Sequence, residues 1–172
     1  MKNKTQNKQN KKFAKGFTLL ELLVVVVIIG VLAAIALPQY KMAVLKSKYA
    51  RAKQTASDIR KAYELYYTVH NTFPTKFSQL DFANKFNDSN QINTGDYNCG
   101  INANYNELYC IVKNKLSYLV NFYTNVPNRI ITQCRTATTD TSDIYNKLCQ
   151  QETGKTAAQA NCSSGLYCYY IY

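Results

Sequence analysis

The chain has 172 residues, room for one ordinary domain and an appendage. Its net charge of +11 is unevenly spread: residues 1–16 hold six lysines and no acid, residues 40–64 hold seven basic residues against Asp58 and Glu64, and residues 65–172 hold eight against seven. A C-terminal portion this close to neutral argues against a broad basic surface for nucleic-acid phosphates, and a single histidine, His70, with no nucleophile motif beside it argues against an enzyme.

Residues 1–12 are mostly Lys, Asn and Gln, a composition that cannot contribute to a core and is expected to be disordered. The character then changes. From Phe17 to Leu37 the sequence FTLLELLVVVVIIGVLAAIAL runs 21 residues with one charge, Glu21. As a helix it would span about 31 Å, the thickness of a bilayer's hydrocarbon. It is apolar all round rather than along one stripe, which points to a membrane span and not to a buried core helix. Past Pro38 the pattern becomes amphipathic: Leu45, Tyr49, Ala52, Ala56, Ile59, Tyr63 and Tyr66 alternate steps of four and three and form one apolar seam. A single helix is therefore expected from the membrane segment to about Val69, bent near Pro38 and ended by Asn71 and Pro74. Lys46, Lys48, Arg51, Lys53, Arg60 and Lys61 fall off the seam and read as a solvated face.

From residue 73 the signals are those of a loop-rich module. FPTKFSQLDF contains a turn and one helical turn, and strands are predicted at Leu108 to Val112, Tyr118 to Tyr123, Arg129 to Gln133 and Tyr167 to Tyr172, with a turn at Asn125 to Asn128. The fold class is α+β: a long N-terminal helix, its first half spanning a membrane, packed through its second half on a small antiparallel sheet with disulfide-stapled loops. All six cysteines (Cys99, Cys110, Cys134, Cys149, Cys162 and Cys168) lie in this module and none makes a CxxC. The close ligand pairs of a zinc site are missing, and an even count behind a membrane signal indicates three disulfides formed in an oxidising compartment. Of the possible pairings, nearest neighbours (Cys99 with Cys110, Cys134 with Cys149, Cys162 with Cys168) would each staple one local loop. Asp140 and Asp143 lack the spacing of a calcium loop, so neither a metal nor a cofactor is expected.

The segment Lys15, Gly16, Phe17, Thr18, Leu19, Leu20, Glu21 carries the function. From Lys15 to Tyr40 the chain resembles the N-terminus of type IV prepilins and type II secretion pseudopilins, which share a basic leader, a glycine before the cut, a phenylalanine that becomes an N-methylated terminus, and a glutamate at the fifth mature position. The resemblance implies cleavage after Gly16, a methylated Phe17, and an assembly role for Glu21. It also places Gly30 and Pro38 where the resembling filaments lose regular helix, likens FPTKFSQLDF to the loop after the pilin helix, and likens the C-terminal cysteine pair to the disulfide loop of many pilins. The implied organisation is a cleaved leader (1–16), a transmembrane and filament-core helix (17–38), an amphipathic helix (39–72) and a disulfide-rich globular domain (73–172). The implied partners are a prepilin peptidase, an inner-membrane assembly platform and further copies of the chain in a helical filament. The precursor would sit in the bacterial inner membrane as a single-pass protein, and the assembled form in a cell-surface filament or a periplasmic pseudopilus.

These residues also make physical sense without the family. A carboxylate in hydrocarbon costs roughly 2.5 to 3.5 kcal/mol, so Glu21 needs a reason. One is a first-turn acid favoured by the helix dipole and close to the membrane surface. Another arises from the cut, which creates a positive amine at Phe17: one subunit's amine can neutralise the next subunit's Glu21, penalising a wrong stagger. Gly30 and Pro38 bracket VLAAIAL, a stretch expected to bend or unwind more easily than its neighbours. Three alternatives remain open at this level. The chain could be a pseudopilin or minor pilin; a conventionally secreted protein cut after Ala36, since Ala34, Ile35 and Ala36 form an A-x-A site; or an uncut anchor with lysines on both flanks of the span.

Overall fold

A computed structural model describes residues 16–81, 91–122, 130–138, 140–158 and 167–171. The disordered leader expected at residues 1–12, the turn expected at Asn125 to Asn128, Cys162 and Tyr172 lie outside these residues. The chain divides into two compact units, one ending at Gln39 and the other running from Tyr40 to Tyr172.

Helix α1 covers Leu19–His70 and contains Pro38 without a break in its helical assignment. The missing proline N–H removes one of the helix's many backbone bonds, and the bonds of its neighbours keep the turn helical. In the first unit every residue from Gly16 to Gln39 is exposed within the chain, as expected of a segment apolar on all sides. In the second unit the seam is buried at Leu45, Tyr49, Ala52, Ala56, Ile59 and Tyr63, while Tyr66 is half-buried. The helix ends where Asn71 turns left-handed (φ 53°) and its N–H donates to the Tyr67 carbonyl at 2.8 Å.

The sheet has six strands: β1 (Gln91–Asn93), β2 (Tyr97–Asn102), β3 (Glu107–Val112), β4 (Leu116–Phe122), β5 (Ile130–Thr136) and β6 (Tyr167–Ile171). Every neighbour pair is antiparallel and spatial order follows chain order, so the sheet is a meander with no crossover. Register places Cys99 opposite Cys110, Leu108 opposite Val120 and Val112 opposite Leu116. These alternate positions form one core with the α1 seam. Tyr63 stacks on Phe122 (4.5 Å between ring centroids) and on Phe73 (5.4 Å), and Tyr49 meets Tyr118 edge-on at 6.2 Å.

Strands β3 to β6 lie where the sequence places them, within a few residues. Among the described strands and α-helices, three were not anticipated: β1, β2 and the helix α2 (Ile144–Thr153). Strand β2 reads YNCGIN, poor in β-branched residues, and its glycine has a packing reason. A Cβ on Gly100 would lie 2.3 Å from the ring of Tyr109, its cross-strand partner, so the glycine makes room for the ring. Helix α2 begins directly after the turn that holds Asp140 and Asp143. The Asp143 side chain accepts from the Tyr145 N–H and caps the helix, and Gly154 closes it at φ 69° with its N–H on the Gln150 carbonyl. Asp140 accepts from the N–H (2.8 Å) and hydroxyl (2.7 Å) of Ser142. Buried Asn146 ties α2 down with all four of its hydrogen-bonding positions. Its Nδ2 donates to the Thr138 and Asp140 carbonyls, and its Oδ1 accepts from the Thr136 and Tyr169 hydroxyls.

Two of the expected nearest-neighbour disulfides are present, each closing a local segment. Cys99–Cys110 joins directly opposed residues of β2 and β3, inside the sheet, and Cys134–Cys149 ties β5 to α2. Cys168 is also disulfide-bonded. The basic residues of α1 are only in part the solvated face expected of them. Lys48 and Arg51 both reach Asp96 in the β1–β2 turn, at 2.7 and 2.8 Å, and Lys53 reaches Glu152 of α2 at 2.6 Å. Arg60 pairs along the helix with Glu64, and Lys61 with Asp58. The Lys48 ammonium, joined by Arg51, holds the Asp96 carboxyl below its ordinary range.

Candidate processing and assembly site

The site is the start of α1. Gly16, Phe17 and Thr18 precede the helix in non-helical backbone, and the first helical residue is Leu19. The bond between Gly16 and Phe17 therefore lies outside helical structure, exposed on both sides. Among the described residues a Cβ at Gly16 would meet nothing within 4 Å, so no packing contact there calls for glycine.

Thr18 and Glu21 form a reciprocal cap. The Glu21 N–H donates to the Thr18 Oγ1 at 3.2 Å, while Glu21 Oε2 accepts from the Thr18 N–H and from the Thr18 hydroxyl, each at 2.8 Å. This is the Thr-x-x-Glu capping box, which satisfies amide groups that the first turn leaves without intrahelical partners. Sequence reasoning singled out Glu21 and passed over Thr18, although the T-x-x-E spacing before an apolar run carries that signal. The negative carboxylate also sits at the positive end of the helix dipole. Among the described residues Glu21 makes no ion pair.

Gly30 and Pro38 lie eight residues apart on α1, both exposed and both in helical backbone. A side chain at Gly30 would meet nothing within 4 Å. His70 is the exposed last residue of α1, stacked on Tyr66 at 4.1 Å, far in sequence from the capped terminus.

The N-terminus thus combines a glycine–phenylalanine bond outside helical structure, a capped first turn with one carboxylate, and an exposed apolar helix long enough to cross a bilayer. Residues 11–37 match the family model described as the prokaryotic N-terminal methylation motif. It is 48% identical over 54 residues to the type IV major fimbrial protein FimA of Dichelobacter nodosus, covering 31% of this chain and 35% of that protein. It is 44% identical over 64 residues to the fimbrial protein EcpC of Eikenella corrodens (37% and 42%), and 33% identical over 87 residues to a fimbrial protein of Neisseria meningitidis serogroup A (47% and 51%). The chain spans about a third to a half of the length of these relatives. No solved structure matches it.

Proposed function

We propose that the chain is the structural subunit of a type IV pilus-like filament, cut after Gly16, methylated at Phe17 and assembled through the apolar half of α1. The observation that carries this reading is the exposed apolar helix with one carboxylate, capped in its first turn, directly behind a glycine–phenylalanine bond. A segment apolar on every side is covered by lipid before assembly and by the same segment of other copies afterwards. Similarity to fimbrial proteins over the same residues supports it. The prepilin peptidase and an inner-membrane assembly platform are the partners this route requires. The precursor is an inner-membrane protein and the product a cell-surface filament. No step in this reading calls on an active site in the chain.

Within the bundle, the amine exposed by the cut at Phe17 pairs with Glu21 of a neighbouring copy. Breaking a buried pair by removing one partner costs roughly 3 to 5 kcal/mol, which is large against one docking step. Glu21→Ala should therefore leave precursor level and cleavage unchanged and abolish or greatly thin the filaments, with Glu21→Asp intermediate. The measurement is sheared-filament yield relative to the processed membrane pool. Normal filaments from Glu21→Ala would remove the register role and leave Glu21 as a first-turn acid only.

A further inference from the structure

The cap at the start of α1 uses one carboxylate oxygen for two bonds. Both donors from Thr18, its N–H and its hydroxyl, end on Oε2 of Glu21, and no hydrogen bond to Oε1 is found among the described residues. We infer that Thr18 is a positioning residue for filament assembly: its hydroxyl and N–H hold Glu21 Oε2, so that Oε1 is presented to the Phe17 amine of a second copy. This rests on the reading of the chain as a filament subunit with an intersubunit Phe17–Glu21 pair.

The physical reason lies in what happens when water leaves. In the single chain the carboxylate is exposed and water serves any oxygen that protein leaves open. In a packed apolar bundle it is not. A buried ion pair is tolerated only when the lone pairs not facing the cation are also satisfied, because the desolvation cost of the carboxylate otherwise exceeds its attraction to the amine. Thr18 supplies those bonds from within the same chain and one helical turn away, so the carboxylate enters the bundle with one oxygen already satisfied and its rotamer fixed. A valine at this position keeps the shape of threonine and loses the hydroxyl, both as donor to Oε2 and as acceptor for the Glu21 N–H. Serine keeps both.

The test compares Thr18→Val, Thr18→Ser and Glu21→Ala in the full-length chain in cells, reading the ratio of sheared filaments to processed subunit in the membrane. Loss of an N-terminal cap corresponds to about a fivefold change in one equilibrium. Thr18→Val should lower the ratio by about that much, Thr18→Ser should restore it to near wild type, and Glu21→Ala should lower it furthest. Wild-type filaments from Thr18→Val beside absent filaments from Glu21→Ala would overturn the role of Thr18 and leave the subunit reading intact. Equal defects in Thr18→Val and Thr18→Ser, or a loss of Thr18→Val at cleavage instead of assembly, would also overturn it. Normal filaments from all three would overturn the role of Thr18 and the Phe17–Glu21 pair together, and leave the subunit reading intact.

Discussion

The two halves of α1 are helices of the same chain with opposite means of stability. From Tyr40 onward, six seam residues are buried against the sheet and the helix is completed by its own module. From Gly16 to Gln39 no side chain is buried, although the segment is far more apolar. The comparison teaches that hydrophobicity alone does not mark a core. What marks it is whether the apolar surface forms a stripe, which one sheet can cover, or a full cylinder, which needs a solvent of lipid or a bundle of like helices.

The sharpest break between the halves comes from truncation. A chain beginning at Tyr40 should fold, form the Cys99–Cys110 and Cys134–Cys149 disulfides, and unfold in one cooperative transition. A chain beginning at Phe73 should not, because it lacks the buried side chains from Leu45 to Tyr63 that complete the core. Circular dichroism and thiol titration of the two fragments check this. A folded, cooperative Phe73 fragment would show that the sheet carries its own core.

Point substitutions repeat the comparison at smaller scale. Tyr63→Ala removes a fully buried ring stacked on Phe122 and Phe73 and should cost about 3 to 5 kcal/mol of module stability. Leu32→Ala, at a residue 62% exposed within the chain, should leave the module's denaturant midpoint unchanged, its effect confined to filaments. Chemical denaturation of both variants beside wild type gives the contrast. A comparable loss in both would erase the distinction between the halves.

How much of this is legible in the sequence depends on how far apart the partners are. The seam was legible because its steps of three and four are local, and β3 to β5 because alternating apolar and β-branched residues announce themselves. Strands β1 and β2 were not. Their residues (QIN and YNCGIN) have little strand character of their own, and they are strands because β3 supplies the ladder and Tyr109 fills the space over Gly100. Helix α2 carried readable signals in its Asp143 cap and its Gly154 stop, and these were outweighed by its short, polar sequence. At the terminus, the glycine, phenylalanine and glutamate were legible as types at fixed spacing. The direction of the Glu21 carboxylate was not, because it depends on the Thr18 hydroxyl.

The smallest expected effect concerns the ion pairs joining α1 to the β1–β2 turn. Lys48, with Arg51, lowers the Asp96 pKa from its ordinary 3.8. The native state then binds fewer protons than the unfolded state, so the stabilisation is full above that ordinary value and is lost as pH falls through the lowered one. Asp96→Asn should lower module stability slightly at neutral pH, where the pair contributes in full, and flatten the acid limb below about pH 4, so that variant and wild type converge in acid. Thermal melts of the fragment from Tyr40 across that range measure it. An unchanged acid limb would show that the pair is no stronger in the folded state than in the unfolded chain.

The fate of the apolar segment decides between a filament helix and a discarded signal, and the N-terminal mass of the exported protein tests this most directly. Peptide mass spectrometry of the sheared surface fraction should find a terminus at Phe17 carrying one added methyl group, with the segment to Leu37 retained. A terminus at Leu37 would contradict the account, because the segment proposed to hold the filament together would have been discarded as a signal.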